Sequence, residues 1–220
     1  MSGANVKITN KTYNNIDSVN ISLAEGTGYA RYVFEKMIGT PITYVTSVNA
    51  ETMGKLLHTG VTTARPSAGY ELFYKFEILD ASTTQIVCGS QGRSGTSNDQ
   101  LVIVSGKLRV DTVSTSTYVN VANGDVIEYH EKDGAINIGN SLWNNVPSGF
   151  RGLATATDFC IFGKQGDITS KIKVHEFVYS EGGTELVHLY PALDSEDVPC
   201  MYDTVSNQFI YATGTLTYDE

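Results

Sequence analysis

Four histidines, three cysteines and one tryptophan are the residues of this chain best suited to chemistry, and their spacing decides what each can do. His58, His130, His175 and His188 show no H-x-x-x-H pair, the spacing that puts two imidazoles on one helix face around a metal. His175 and His188 flank Glu181-Gly182-Gly183-Thr184, so they are expected to face each other across a hairpin as a polar cross-strand pair rather than as ligands. Cys88, Cys160 and Cys200 are odd in number, widely spaced and without a C-x-x-C, which leaves no zinc or redox motif. Cys88 and Cys160 stand in the apolar runs IVCG and FCIF and read as small buried hydrophobes. Gly92-Arg93-Ser94-Gly95 lacks the final glycine of a nucleophile elbow, and Gly89, Gly92 and Gly95 form neither a dinucleotide fingerprint nor a phosphate loop. The polar run 89–98 is expected to be a surface loop. Trp143 shares a stretch with Asn140, Asn144 and Asn145. An aromatic face beside planar amides is what sugar recognition uses, and a tryptophan plugging a sheet edge among turn-forming asparagines is the other reading of the same residues.

The elements that must position these residues are strands. Tyr70, Leu72, Tyr74, Phe76 and Ile78 alternate with Glu71, Lys75 and Glu77, which predicts one buried and one wet face over Tyr70–Leu79. Further strands are expected at Ile42–Val48, Gln85–Gly89, Leu101–Val104 and Lys107–Val113, the last two joined at Ser105-Gly106. Tyr118–Val121 and Val126–His130 are expected to form a hairpin over Asn123-Gly124-Asp125, and Lys132-Asp133-Gly134 to turn into Ala135–Ile138. Asn140–Gly152 is expected to be a loop. Asp158–Gly163, apolar on both faces, reads as a central strand. Lys171–Tyr179 and Leu186–Tyr190 form another predicted hairpin. Asn49–Leu57 is read as loop or strand in preference to one helical turn. Pro191 and Pro199 are expected at strand ends, because proline has no donor for a central ladder. Asp203–Asn207 reads as the turn before the aromatic run 208–211. About a dozen short strands with no helical period indicate a sandwich or barrel.

Composition removes several function classes. A net charge of -9 opposes binding to nucleic acid, which needs clustered basic residues, and to anionic membranes. With 41% hydrophobic residues the chain can bury a substantial core. Met1-Ser2-Gly3-Ala4 has no signal-peptide character, and no apolar run reaches membrane-spanning length. Residues 1–40 differ from the rest: they carry four basic and three acidic side chains, and their short strands around Val6–Ile8 and Val19–Ile21 hold too little apolar surface to form a core. Thr40-Pro41 marks a boundary, so 1–40 is read as a docking or oligomerising segment and 41–220 as the main domain. An extra edge hairpin of the sandwich is the alternative reading of that segment.

The closing stretch, L-x-P-A followed by P-C-M-Y-D-x-V-S-N-x-F-x-Y-x-x-G-T, resembles the last strands of concanavalin A-like (LamG/pentraxin-like) jelly-roll domains in virion proteins of tailed bacteriophages. Pro191, Met201-Tyr202-Asp203, Phe209 and Gly214 carry the resemblance. The pattern of Val6, Ile8, Tyr13, Ile16, Val19 and Ile21 resembles short N-terminal segments of phage head-fibre, decoration and tail proteins. The resemblance implies an all-β jelly-roll β-sandwich on a virion, assembled in the host bacterial cytoplasm. It does not name the part of the particle; the small size and the lack of a fibrous repeat or coiled coil favour a head decoration or head fibre, expected to be homo-oligomeric, to contact other capsid or tail proteins, and to touch host or mucosal glycan. A tail-tip receptor-binding adhesin is the alternative, and a carbohydrate-active enzyme the third. Some relatives of the fold are glycosidases with an E-x-D-x-x-E strand, but Glu131-Lys132-Asp133 is followed by Gly134 and then Ile136 where the second Glu would stand. Glu131 and Asp133 therefore read as solvated charge at a hairpin tip, and the protein as non-enzymatic, with no cofactor. Some sandwiches of this class hold Ca²⁺, for which Asp194, Glu196 and Asp197 are candidate oxygen donors beside the reading as a solvated acidic turn.

Overall fold

In a computed structural model, the described residues are 42–61, 69–91, 98–111, 117–132, 135–139, 144–145, 158–164, 166 and 169–220. The chain divides into two units at residue 41, and all of these residues belong to the second. The docking-segment residues Val6, Ile8, Tyr13, Ile16, Val19 and Ile21 lie outside them.

The described residues form two antiparallel sheets and no helix. The smaller sheet holds β3 (Leu57–His58), β5 (Gln85–Gln91), β6 (Asn98–Val104), β7 (Lys107–Asp111), β8 (Thr117–Asn120) and β12 (Cys160–Ile161), in the order β3-β12-β5-β6-β7-β8. The larger sheet is built on β4 (Tyr70–Ile78), β9 (Val126–Lys132), β13 (Ile172–Glu181) and β14 (Thr184–Leu193). To these it adds β10 (Ala135–Ile138), β11 (Asn144–Asn145), β15 (Pro199–Asp203) and β16 (Gln208–Ile210). Its main order is β11-β10-β9-β4-β13-β14-β15-β16, with β1 (Thr43–Tyr44) on β14 and β2 (Ser47–Asn49) between β13 and β17 (Thr217–Asp219). One apolar core joins the sheets. Tyr74, Phe76, Phe177 and Leu189 of the larger sheet share it with Leu101, Ile103, Leu108 and Ile161 of the smaller. This is the layered arrangement that alternating strands require to bury their apolar faces.

Where local chemistry sets the structure, the sequence reading holds. β4 alternates buried and half-buried residues along its whole length. Ser105 and Gly106 turn β6 into β7, both with positive φ, the backbone that a two-residue hairpin needs. Gly182-Gly183 does the same between β13 and β14. β12 lies inside its sheet, between β3 and β5.

Several expectations are corrected. Tyr118–Val121 and Val126–His130 do not pair: β8 joins β7 in the smaller sheet, while β9 joins β4 and β10 in the larger. The Asn123-Gly124-Asp125 turn is real but docks on the end of β4. Asn123 Oδ1 accepts from Ala81 N at 2.7 Å, and Gly124 N donates to Ile78 O at 2.7 Å. Ile42–Val48 breaks into β1 and β2 around Val45-Thr46. The strand expected over Gln85–Gly89 is present and runs on: Ser90, Gln91 and Asn98, read as loop, are ladder residues of β5 and β6. Pro199 begins β15 as expected, but Pro191 sits within β14 opposite Met201. Its carbonyl accepts from Val45 N at 3.1 Å, so its nitrogen faces the same side, away from β15, where β14 has left β13 and no ladder donor is required.

The larger sheet forks. β13 pairs with β2 at Lys173 and Val174, then with β14 from Phe177 onward. At the change of partner the β4–β13 register slips by one, with His175 the extra residue. This bulge explains why the inward residues of β13 change parity, from Ile172 and Val174 to Phe177 and Tyr179.

Candidate functional site in the fork of the larger sheet

The fork opens a pocket of about 320 Å³ lined by Tyr44, Val45, His175, Tyr190 and Pro191. β1 and β2 bridge it, and His175 Nδ1 lies 2.9 Å from Thr46 O, which tethers the bulge to the bridge. His175 Nε2 is buried and has no hydrogen-bond partner among the described residues, a costly state for a polar nitrogen.

Strand alternation puts Tyr190 and His188 on the outer face of β14, and antiparallel register places Tyr202 opposite Tyr190. Tyr44 stands edge-on to both tyrosines, with ring centroids 6.2 Å from Tyr190 and 6.3 Å from Tyr202. It remains 54% exposed. His188 lies against Tyr190 at 4.4 Å, and Phe209 against Tyr202 at 5.1 Å. Below this shelf Ala192, Cys200 and Tyr202 form a small apolar cluster with Ile42 and Phe209. Burial pushes the Cys200 thiol up to about 12, so it acts there as a hydrophobe.

The polar rim is acidic and imidazole-bearing. His188 Nε2 is 2.9 Å from Glu176 and Nδ1 is 3.0 Å from Glu185. Burial, then the charge and hydrogen bond of Glu176, push the Tyr190 hydroxyl up to about 12. The hydroxyl gives its one proton to Glu176, which leaves its oxygen as an acceptor at the mouth of the pocket.

The residues singled out in the sequence fall differently. Trp143 and Asn140 lie outside the described residues. Asn144 and Asn145, expected in a loop, form β11 on the edge of the larger sheet, opposite Ile136 and Ala135. His175 and His188 do not face each other: His188 is opposite Val178, and the bulge turns His175 toward Thr46. Glu131 is no hairpin-tip charge. It is 0% exposed on the inner face of β9, accepting from Tyr70 Oη at 2.5 Å and Tyr129 Oη at 2.9 Å. Asp133 lies outside the described residues, as do Gly92, Arg93, Ser94 and Gly95. Asp194 spends its carboxylate on its own loop, accepting from Glu196 N, Val198 N and Tyr211 Oη at 2.8, 3.0 and 2.7 Å. Those bonds hold its carboxyl below the usual range. Among the described residues, the group able to hold a metal is instead His58, Asp158 and Cys160 on the smaller sheet.

The fork pocket was not legible in the sequence. Its signal was the parity change in β13, which marks a bulge but not what the bulge opens. Fold and site together define an all-β protein of two antiparallel sheets with an aromatic shelf on the outer face of the larger one. The chain matches no protein-family model and no curated protein.

Proposed function

We propose that the chain is a non-enzymatic recognition protein of a bacteriophage particle, of head-decoration or head-fibre type. Its concanavalin A-like jelly roll binds a neutral glycan on the tyrosine shelf. The observation that carries the binding reading is the fork pocket beside Tyr44. An exposed ring held edge-on by two others offers a fixed face for the C–H surface of a pyranose, and the Tyr190 hydroxyl oxygen offers an acceptor to its hydroxyls. Glu176, Glu185 and a net charge of -9 disfavour sialylated or sulfated sugars. The virion placement rests on the sequence resemblance of the C-terminal strands and of residues 6–21. The non-enzymatic reading is supported by Glu131, whose oxygens are engaged inside the core by two tyrosines and cannot meet a substrate. Copy number on a particle multiplies weak single contacts into useful avidity.

Binding is tested on a glycan array and then by titration of the best neutral sugar. Tyr44→Ala is expected to weaken binding about tenfold, the loss of one aromatic contact, while Tyr118→Ala on the smaller sheet leaves it unchanged. No binding to any neutral glycan, or equal binding by Tyr44→Ala, sinks the shelf as a lectin site. Particle attachment is tested separately. Removal of residues 2–39 is expected to leave a folded domain that no longer co-sediments with particles. Retained co-sedimentation would move the docking function out of that segment.

A further inference from the structure

We propose that His58, Asp158 and Cys160 form a site for a thiophilic divalent transition metal, zinc in class, on the outer face of the smaller sheet. The fold brings them together by two simple rules. Asp158 and Cys160 are two apart on an extended run and so share a face, while Phe159 and Ile161 point into the core. His58 is directly opposite Cys160 in the β3–β12 ladder. On the other flank of Cys160 the paired residue is Gly89, which places no side chain beside the thiol.

Three donor atoms of three kinds then converge. His58 Nδ1 is 2.6 Å from Asp158 Oδ1 and 3.6 Å from Cys160 Sγ, and Sγ is 4.0 Å from Oδ1. A tetrahedral zinc ion with ordinary bond lengths separates N from S by about 3.5 Å, S from O by about 3.6 Å and N from O by about 3.4 Å. Two of the three spacings are already close. Only the imidazole–carboxylate contact, a hydrogen bond, must open, and His58 has room to swing because its side chain is 43% exposed.

The geometry also speaks against the other use of these residue types. A thiol–imidazole–carboxylate relay needs thiol and carboxylate on opposite ring nitrogens. Here both approach Nδ1, which an ion explains and a relay does not. One thiolate, one imidazole and one carboxylate suit zinc or cobalt and leave a fourth position for water, whereas calcium and magnesium require more oxygens. Thiolate and carboxylate together cancel the charge of a divalent ion.

The surroundings hold the donors in place. Asp158 Oδ2 accepts from Gly60 N at 3.3 Å, leaving Oδ1 to point at the cluster. Thr59 Oγ1 donates to Phe159 O at 2.7 Å, and Phe159 N donates to Val61 O at 2.8 Å, clamping the two runs on either side of the site. Cys160 is 0% exposed, so the ion enters past His58 and Asp158. Such second contacts fix ligand direction in metal sites generally. Binding displaces ligand protons, so affinity rises with pH.

The test is titration of the full reduced chain, stripped with chelator, with Co²⁺. Expected are one equivalent bound, a thiolate-to-cobalt charge-transfer band with tetrahedral visible absorption, and displacement of both by Zn²⁺. Zinc should also raise the thermal midpoint in proportion to its logarithmic excess. Cys160→Ser should abolish the charge-transfer band, His58→Gln and Asp158→Asn should weaken binding at least tenfold, and Cys200→Ala should change neither. No charge-transfer band in the parent chain, or one that survives Cys160→Ser, overturns the proposal. If Cys160→Ser does not fold by circular dichroism, the two polar variants decide: unchanged cobalt affinity in both overturns it, and loss in both upholds it.

Discussion

Glu131→Ala is expected to lower unfolding stability by about 3–5 kcal/mol, a large share of what a domain of this size holds. The side chain sits at an inward position of β9, in line with Ile127 and Tyr129 and opposite Leu72 of β4. A carboxyl group taken out of water there needs hydrogen bonds, and both of its oxygens receive tyrosine hydroxyls. Truncation strips Tyr70 and Tyr129 of that acceptor and leaves a void between the two central strands, so desolvation and cavity costs add. Tyr70→Phe, which keeps the ring and removes one donor, should cost about 2 kcal/mol. Combining it with Glu131→Gln should show coupling above about 0.5 kcal/mol, because the two side chains share one network. Urea unfolding of the parent, Glu131→Ala, Tyr70→Phe, Glu131→Gln and the double variant decides the matter. A loss under about 1 kcal/mol for Glu131→Ala would mean that the carboxylate is not part of the core's support.

What the sequence disclosed and what it withheld divide along the range of the interactions. The β4 alternation, the Ser105-Gly106 and Gly182-Gly183 turns and the strand start at Pro199 depend on residues a few positions apart, and each is where the residue types place it. The partners of β8 and β9 depend on the whole sheet. Asn123-Gly124 announces a turn, but a turn does not say whether the chain re-enters the sheet it left. Glu131 was misread for a different reason. Carrying the parity of Ile127 and Tyr129 one step further points it inward, yet a lone acid beside Lys132 and Asp133 looks solvated unless Tyr70 is known to be its neighbour. The same holds for His58 and Cys160, about a hundred positions apart, which only the β3–β12 pairing makes adjacent. Cys160 was rightly read as buried; that it is buried on the outer face, out of the main core, has no local signature. Asn144 and Asn145 have turn-forming side chains and nonetheless extend, because β10 offers an open edge to pair with.

Two single-residue excisions in neighbouring strands should have opposite outcomes, and the contrast tests the register argument directly. Removing Phe73 from the middle of β4 shifts one half of the strand by a residue and turns its side chains to the other face. The shorter half carries Tyr70 and Leu72, so both would leave the core, and the Tyr70–Glu131 bond would go with them. Together these are worth on the order of 6 kcal/mol, and β4 has no free edge on which to adjust, being paired with β9 on one side and β13 on the other. The expected result is a chain without a cooperative unfolding transition. Removing His175 from β13 should do the reverse. His175 is the unmatched residue between Val174, opposite Phe76, and Glu176, opposite Lys75. Without it the ladder with β4 becomes regular, and Ile172, Val174, Phe177 and Tyr179 keep their inward positions. The protein should still fold, with a cooperative thermal transition, but without the bulge that parts β13 from β14 it should lose the fork pocket and any sugar binding measured on the shelf. A folded Phe73 excision would show that β4 can change register between its two partners, and an unfolded His175 excision would show that the parity of β13 is set by something other than this bulge.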